Sequence, residues 1–144
     1  MQTYDVNEFD KLVGKRSFTT DSYSFSRQHV LRGFHGDKKS WKLIQCLRGS
    51  IYFAVIDLRY ITKENPVGNV FTAILNDINR YQVLVPAGCV NAHLCLSQDC
   101  IFSYKLSDGY VSIEDQLHVK WNDPQYKDEI NWGLEFPILS TRDT

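Results

Sequence analysis

An arginine and a histidine stand three residues apart in the run Val30-Leu31-Arg32-Gly33-Phe34-His35. Gly33 lets the backbone turn tightly, so Arg32 and His35 project from one short segment. Arginine offers a planar donor fork for phosphate, and histidine titrates near neutrality. The pair suits an anionic substrate that must also lose a proton. A second candidate is Lys42 in Trp41-Lys42-Leu43-Ile44-Gln45-Cys46. On an alternating strand Lys42, Ile44 and Cys46 share one face, opposite Trp41, Leu43 and Gln45. Such a lysine either reaches out at a rim or lines a polar cavity. In Phe102-Ser103-Tyr104-Lys105-Leu106, Tyr104 and Phe102 share a face. Tyr104 is then either core, with its hydroxyl satisfied, or a proton donor inside a cavity. By itself the C-terminal run, Pro137 to Asp143, reads as a solvated tail.

Other chemistry finds little support. The histidines are His29, His35, His93 and His118, and no HxH pair occurs among them. The usual spacing of a metal-binding barrel is therefore missing, and no metal is expected. Cys46, Cys89, Cys95 and Cys100 form no CxxC pair and lie on apolar stretches, which reads as buried reduced thiols. Formal net charge is −1, without the basic stripe of a nucleic-acid binder. No apolar run reaches membrane-spanning length, and MQTYDVNEFD has no signal-peptide pattern. A cytoplasmic protein that binds neither membrane nor nucleic acid is expected.

The elements that must hold these residues are short. Phe9, Leu12 and Val13 recur at helical spacing before Gly14, which predicts one short helix over Val6 to Val13. Beyond Lys15 the segments are β-branched or aromatic, separated by Gly, Pro, Asn or Asp. LIQCLRGSIYFAVIDLRY predicts two strands around a hairpin-like break at Arg48-Gly49-Ser50. Further strands are predicted over Val70 to Leu75, Tyr81 to Val85, His93 to Leu96, Ile101 to Leu106 and His118 to Trp121. Many short strands at this spacing indicate an all-β sandwich or jelly-roll barrel. With 144 residues, 43% apolar and no linker or repeat, the chain reads as one domain over 1–144.

In order and spacing, VLRGFH (30–35), WKLIQCLRGSIYFAVIDLR (41–59), VLVPAG (83–88), FSYK (102–105), WNDP (121–124) and ILSTRD (138–143) resemble the dTDP-4-dehydrorhamnose 3,5-epimerase family. The likeness runs from about Phe18 to Asp143. It implies a cupin-type jelly roll, usually dimeric, that inverts C3 and/or C5 of a nucleotide-linked 4-keto-6-deoxy sugar without metal or cofactor. It also implies roles: His35 as base, Asp143 as its carboxylate partner, Tyr104 as proton donor on the opposite face, and Lys42 as stabiliser of the enolate oxygen. Arg32, Arg59 and Arg142 match the phosphate-contacting arginines.

The chain departs from the family pattern at three places. The family's PEGFAHG is here PAGCVNAH, so its histidine falls on Asn91 and His93 stands two positions later. Both are expected to contact the substrate. The family's QDNHS is Thr20-Asp21-Ser22-Tyr23-Ser24, and the opening strands with a DxRG-F segment have no counterpart. Two alternatives follow: a nucleotide-sugar or glycan-binding barrel without turnover, and a 3,4-ketoisomerase. The second resembles an RG-x-HAHK pattern, whereas here His35 precedes Gly36-Asp37-Lys38.

Overall fold

The computed structural model of the chain describes residues 1–14, 17–109 and 111–144. Helix α1 spans Val6–Val13, as expected. The Asp5 carboxylate caps it, accepting from the Asn7 and Glu8 amides, and Gly14 ends it at φ 76°. The side chains of Leu12 and Val13, on which the predicted apolar face also rests, lie outside the described residues. Upstream of the helix, Tyr4 packs against Phe9 and Phe18, and Lys105 Nζ lies 5.1 Å over its ring.

Among the described residues ten strands follow: β1 (Thr20–Arg27), β2 (Val30–Asp37), β3 (Lys42–Arg48), β4 (Ser50–Asp57), β5 (Asn69–Asn76), β6 (Gln82–Val85), β7 (Cys89–Cys95), β8 (Asp99–Leu106), β9 (Gln116–His118) and β10 (Ile138–Leu139). One sheet has the order β1-β8-β3-β6 and the other β10-β2-β7-β4-β5, with β9 also paired to β2. The short β10–β2 pairing is parallel, and the other pairings among the described residues are antiparallel. The result is an all-β, cupin-like jelly roll. Between the sheets lie Ile44, Cys46, Val85 and Phe102 from one and Phe53, Val55, Leu75 and Cys89 from the other. The outer face of the six-stranded sheet is covered as well. There Phe34, Ala54, Ile56, Val90 and Ala92 pack under Tyr126, Ile130 and Trp132 of the C-terminal segment. Strand β7 is thus buried at all seven positions. Two covered faces remove the alternation that marks a strand's start, which is why the sequence places this strand late, at His93.

Three sequence expectations need correction, and β1 was not foreseen. Arg48-Gly49-Ser50 is no hairpin: β3 pairs β6 and β8, whereas β4 pairs β5 and β7. At φ 79° Gly49 carries the chain from one sheet into the other. The strand predicted over His118 to Trp121 ends at His118, and its ladder to β2 begins at Gln116. The C-terminal run is no free tail. It adds β10 beside β2, with the Ile138 amide donating to the His29 carbonyl at 2.8 Å, and Asp143 is buried. Strand β1 is absent from the sequence reading because its pattern is inverted. Ser22, Ser24 and Ser26 face inward while Tyr23 and Phe25 face out. Small polar residues belong on a wall that lines a polar cavity rather than a core.

Gly33 decides how β2 presents its side chains. In the β2–β7 ladder Arg32 pairs with His93 and His35 with Asn91, so three steps on β2 match two on β7. This extra residue is a β-bulge, and it sits at Gly33 with φ 118°. On a regular strand residues 32 and 35 point to opposite faces. The bulge turns both toward one side. A Cβ at Gly33 would lie 2.5 Å from the Asn91 carbonyl oxygen and 2.6 Å from Ala92 Cβ. Gly33→Ala is therefore expected to cost about 2–4 kcal/mol, combining backbone strain with overpacking. An unchanged thermal midpoint in that variant would contradict the account.

Candidate active site

Between the sheets a cavity of about 450 Å³ opens at one end of the roll. The six-stranded sheet supplies Arg32 and His35 from β2 and Asn91 and His93 from β7. From the opposite sheet come Lys42 on β3, Tyr104 on β8 and Ser24 on β1. Ser140, Arg142 and Asp143 reach in from the C-terminal segment. Eight of the nine residues singled out in the sequence therefore line one cavity. The ninth, Arg59, does not. It lines a separate hollow near Phe71 and Pro86, where its guanidinium grips Asp57 through Nε–Oδ1 at 3.0 Å and Nη2–Oδ2 at 2.8 Å. That pairing holds the Asp57 carboxyl below its ordinary range.

A close polar contact in the cavity joins His35 Nε2 to Asp143 Oδ1 at 2.6 Å. The Asp143 side chain is 1% exposed and that of His35 24%. Ser140 Oγ donates to the other carboxylate oxygen at 2.8 Å, so both oxygens are engaged. Asp143 lies in a single 3-10 turn, Thr141–Asp143, closed by its amide donating to the Ser140 carbonyl. With Nε2 occupied, Nδ1 is the ring nitrogen left to accept a proton. Burial lowers the pKa of His35 from its ordinary value. The Asp143 charge opposes this, while Arg142 and then His118 push the same way as burial. The ring is thereby kept neutral, ready to act as base near neutral pH.

Lys42 crosses from the four-stranded sheet to the other wall. Its ammonium donates to the Asn91 side-chain oxygen at 2.9 Å and to the His35 carbonyl at 3.2 Å. Both acceptors are neutral, and the third N–H is left for a ligand. Burial brings its pKa down to about 8, against an opposing pull from Asp37. Arg32 is aimed by Ser26, whose Oγ accepts from Nε at 2.9 Å. Among the described residues, none of Arg32, Lys42 and Arg142 forms an ion pair with a carboxylate. The cavity therefore offers unneutralised positive charge to an anion. His93 stacks on Phe102 with ring centroids 4.0 Å apart. Full burial, then Arg32 and His35, depress its pKa to about 3, so it stays neutral. Its Nε2 is buried with no partner, as is Ser24 Oγ.

Sequence reading missed Ser24, Ser26, Ser140 and His118. The alternation of serines with aromatics on β1 was a usable signal for the first two. Ser140 and His118 gave none, because their places depend on how β10 and β9 dock on β2. His118 stands opposite His35 in the β2–β9 ladder, and the two rings stack with centroids 5.6 Å apart. The four cysteines are free and buried, as expected.

Known proteins share this arrangement of elements. The family model described as dTDP-4-dehydrorhamnose 3,5-epimerase matches residues 1–144. A dTDP-4-dehydrorhamnose 3,5-epimerase from Methanothermobacter thermautotrophicus is 32% identical over 149 residues, covering 99% of this chain and 77% of the relative. The crystal structure of such an enzyme from Bacillus anthracis, with TDP and PPi bound, superimposes with a TM-score of 0.86 at 33% identity, covering 99% of this chain and 81% of that one. A Legionella pneumophila 3,5-epimerase in complex with dTDP-4-keto-L-rhamnose gives a TM-score of 0.85 at 28% identity, covering 99% and 75%. The chain accordingly belongs to the dTDP-4-dehydrorhamnose 3,5-epimerase family, and it is an isomerase of nucleotide-linked deoxysugars.

Proposed function

We propose that the cavity epimerises a nucleotide-linked 4-keto-6-deoxy sugar at C3, C5 or both, with His35 as base, Lys42 as oxyanion donor and Tyr104 as proton donor. The observation that carries this reading is the position of His35 and Tyr104 on facing sheets of one cavity that Lys42 also lines. A C4 ketone acidifies the protons on C3 and C5. His35 Nδ1 takes one, and Asp143 holds the ring and favours the imidazolium that forms. Charge develops on the C4 oxygen, where the free N–H of Lys42 meets it. Tyr104 returns a proton to the other face, which inverts the centre. Arg32 and Arg142 suit the diphosphate. His93, Asn91 and Ser24 offer neutral hydrogen-bonding groups to the sugar. No step in this sequence calls on a cofactor.

We infer likewise that the protein works in the cytoplasm as a homodimer. Reduced buried cysteines suit that compartment. Among the described residues no helix is long and apolar enough to cross a membrane. Exposed Tyr23 and Phe25 on β1 and Phe71 and Ile74 on β5 supply apolar surface for a second copy. Analytical ultracentrifugation is expected to give twice the chain mass, and a monomer at all concentrations would refute the dimer.

Deuterium uptake from solvent separates the two proton-transfer roles. His35→Asn is expected to abolish exchange at C3 and C5 while leaving the fold intact, and unchanged exchange would remove His35 as base. Tyr104→Phe should still form the enolate. His35 then returns deuterium to the face it came from, so label enters with retention while net inversion falls. Equal inversion in wild type and variant would exclude Tyr104 as donor.

The reaction needs neutral His35 and charged Lys42, so the kcat/KM profile should be bell-shaped. Activity rises with pH as His35 loses its proton, below its ordinary 6.5, and falls as Lys42 deprotonates near about 8. Lys42→Arg keeps its charge over this whole range. Whatever activity it retains should lose the alkaline limb, and a limb still near about 8 would assign that ionisation to another group.

A further inference from the structure

Strand β9 sets a second imidazole beside the His35–Asp143 pair. His118 stands directly across from His35 in the ladder, with ring planes 23° apart. One ligand-capable atom each from His35, His118 and Asp143 lie within 4.8 Å of one another. Asp143 is buried, His35 half-buried and His118 exposed, so the group is anchored on one side and open to solvent on the other. The proposed proton transfers make no use of His118.

We propose that these three residues form a site for a borderline divalent cation of the zinc type, and that its occupancy stops epimerisation. Two imidazoles and one carboxylate are a donor set that zinc accepts, with the fourth position left to water. Calcium and magnesium prefer oxygen ligands throughout, so the two histidines select against them. The ion takes the place of the hydrogen now shared by His35 Nε2 and Asp143 Oδ1. Their 2.6 Å contact opens to roughly 3.4 Å, the spacing of two ligands on a tetrahedral ion, while His118 closes from the far side. Cross-strand pairing already holds the two rings side by side with centroids 5.6 Å apart, and Ser140 Oγ orients the carboxylate from behind, as a supporting contact does in metal sites. Arg142 beside His35, and the Lys42 ammonium at 3.2 Å from the His35 carbonyl, oppose binding. With Nε2 on the ion, the displaced hydrogen resides on Nδ1, the nitrogen that must accept the sugar proton, so exchange at the sugar ceases. The inhibitory half of the proposal rests on the epimerase reading, whereas the binding half rests on the geometry of the three side chains.

Titration of chelator-treated protein with zinc and cobalt(II) tests both halves. One ion per chain is expected. Cobalt should give visible d–d absorption without the thiolate charge-transfer band that the cysteines would produce. His118→Gln, on an exposed position, should weaken binding about tenfold or more and retain metal-free solvent exchange. Zinc should suppress exchange in the wild type over its binding range and spare the variant. Equal zinc affinity in the two proteins, a thiolate band, or no saturable binding would overturn the site. Saturable binding with exchange undiminished would overturn the inhibition. Absence of exchange in the metal-free wild type would instead sink the epimerase reading, while the affinity comparison still decides the site.

Discussion

A carboxylate with 1% of its surface exposed must be hydrogen-bonded or paired, because burying it alone costs several kcal/mol. Asp143 meets this requirement with His35 Nε2 on one oxygen and Ser140 Oγ on the other. The pairing joins residues 108 positions apart in the chain. It exists only because the C-terminal segment that carries Asp143 is tied down. Ile138 and Leu139 lengthen the six-stranded sheet, and a 3-10 turn then points Asp143 back into the cavity. The last turn of the chain is thus part of the site rather than an appendage to it. Removing the carboxylate leaves His35 without the group that fixes its ring, and removing His35 leaves a buried charge short of a partner.

A second constraint acts within β2. Side chains alternate along a strand, so an arginine and a histidine three apart cannot both face a cavity unless the strand gains a residue. The bulge at Gly33 supplies that residue, and the backbone of β7 passes so close that only glycine fits. Phosphate recognition by Arg32 and proton abstraction by His35 therefore depend on the same irregularity. Ser26 on β1 then fixes the guanidinium, which ties the orientation of β2 to the edge of the other sheet.

Much of this was legible in the sequence, and the parts that were not have physical reasons. Lys42, Ile44 and Cys46 do share the inner face of β3, because strand alternation survives wherever one residue set faces the interior. The Arg32–Gly33–His35 spacing announced a local irregularity, since glycine between two polar residues in an apolar run has little other use. Strand β1 was hidden because a cavity wall reverses the ordinary pattern, with serines inside and aromatics outside. The crossover at Gly49 was mistaken for a hairpin because local turn signals do not say which sheet the next strand joins. Position alone suggested a solvated end at Asp143, and only the docking of β10 reverses that. Arg59 stands apart from the others: a matching residue type in the right order, paired with its neighbour Asp57 at a different hollow.

The contacts of Lys42 show how the two walls are coupled. A carboxylate partner would have neutralised its charge before substrate arrived and reduced what remained for a developing oxyanion. Two neutral oxygens, from Asn91 and the His35 carbonyl, orient the ammonium without quenching it. Burial lowers its pKa to about 8, which still leaves it mostly protonated at neutral pH. A deeper or drier position would have depressed it further and lost the charge altogether. Histidine in place of Asn91 could accept the same hydrogen bond only as a neutral ring, and a protonated one would repel Lys42. Asparagine cannot titrate, so at this position it fixes the lysine independently of pH. Because the second acceptor is the backbone of His35 itself, the oxyanion donor and the base are held in one frame, and a shift of β2 moves both together.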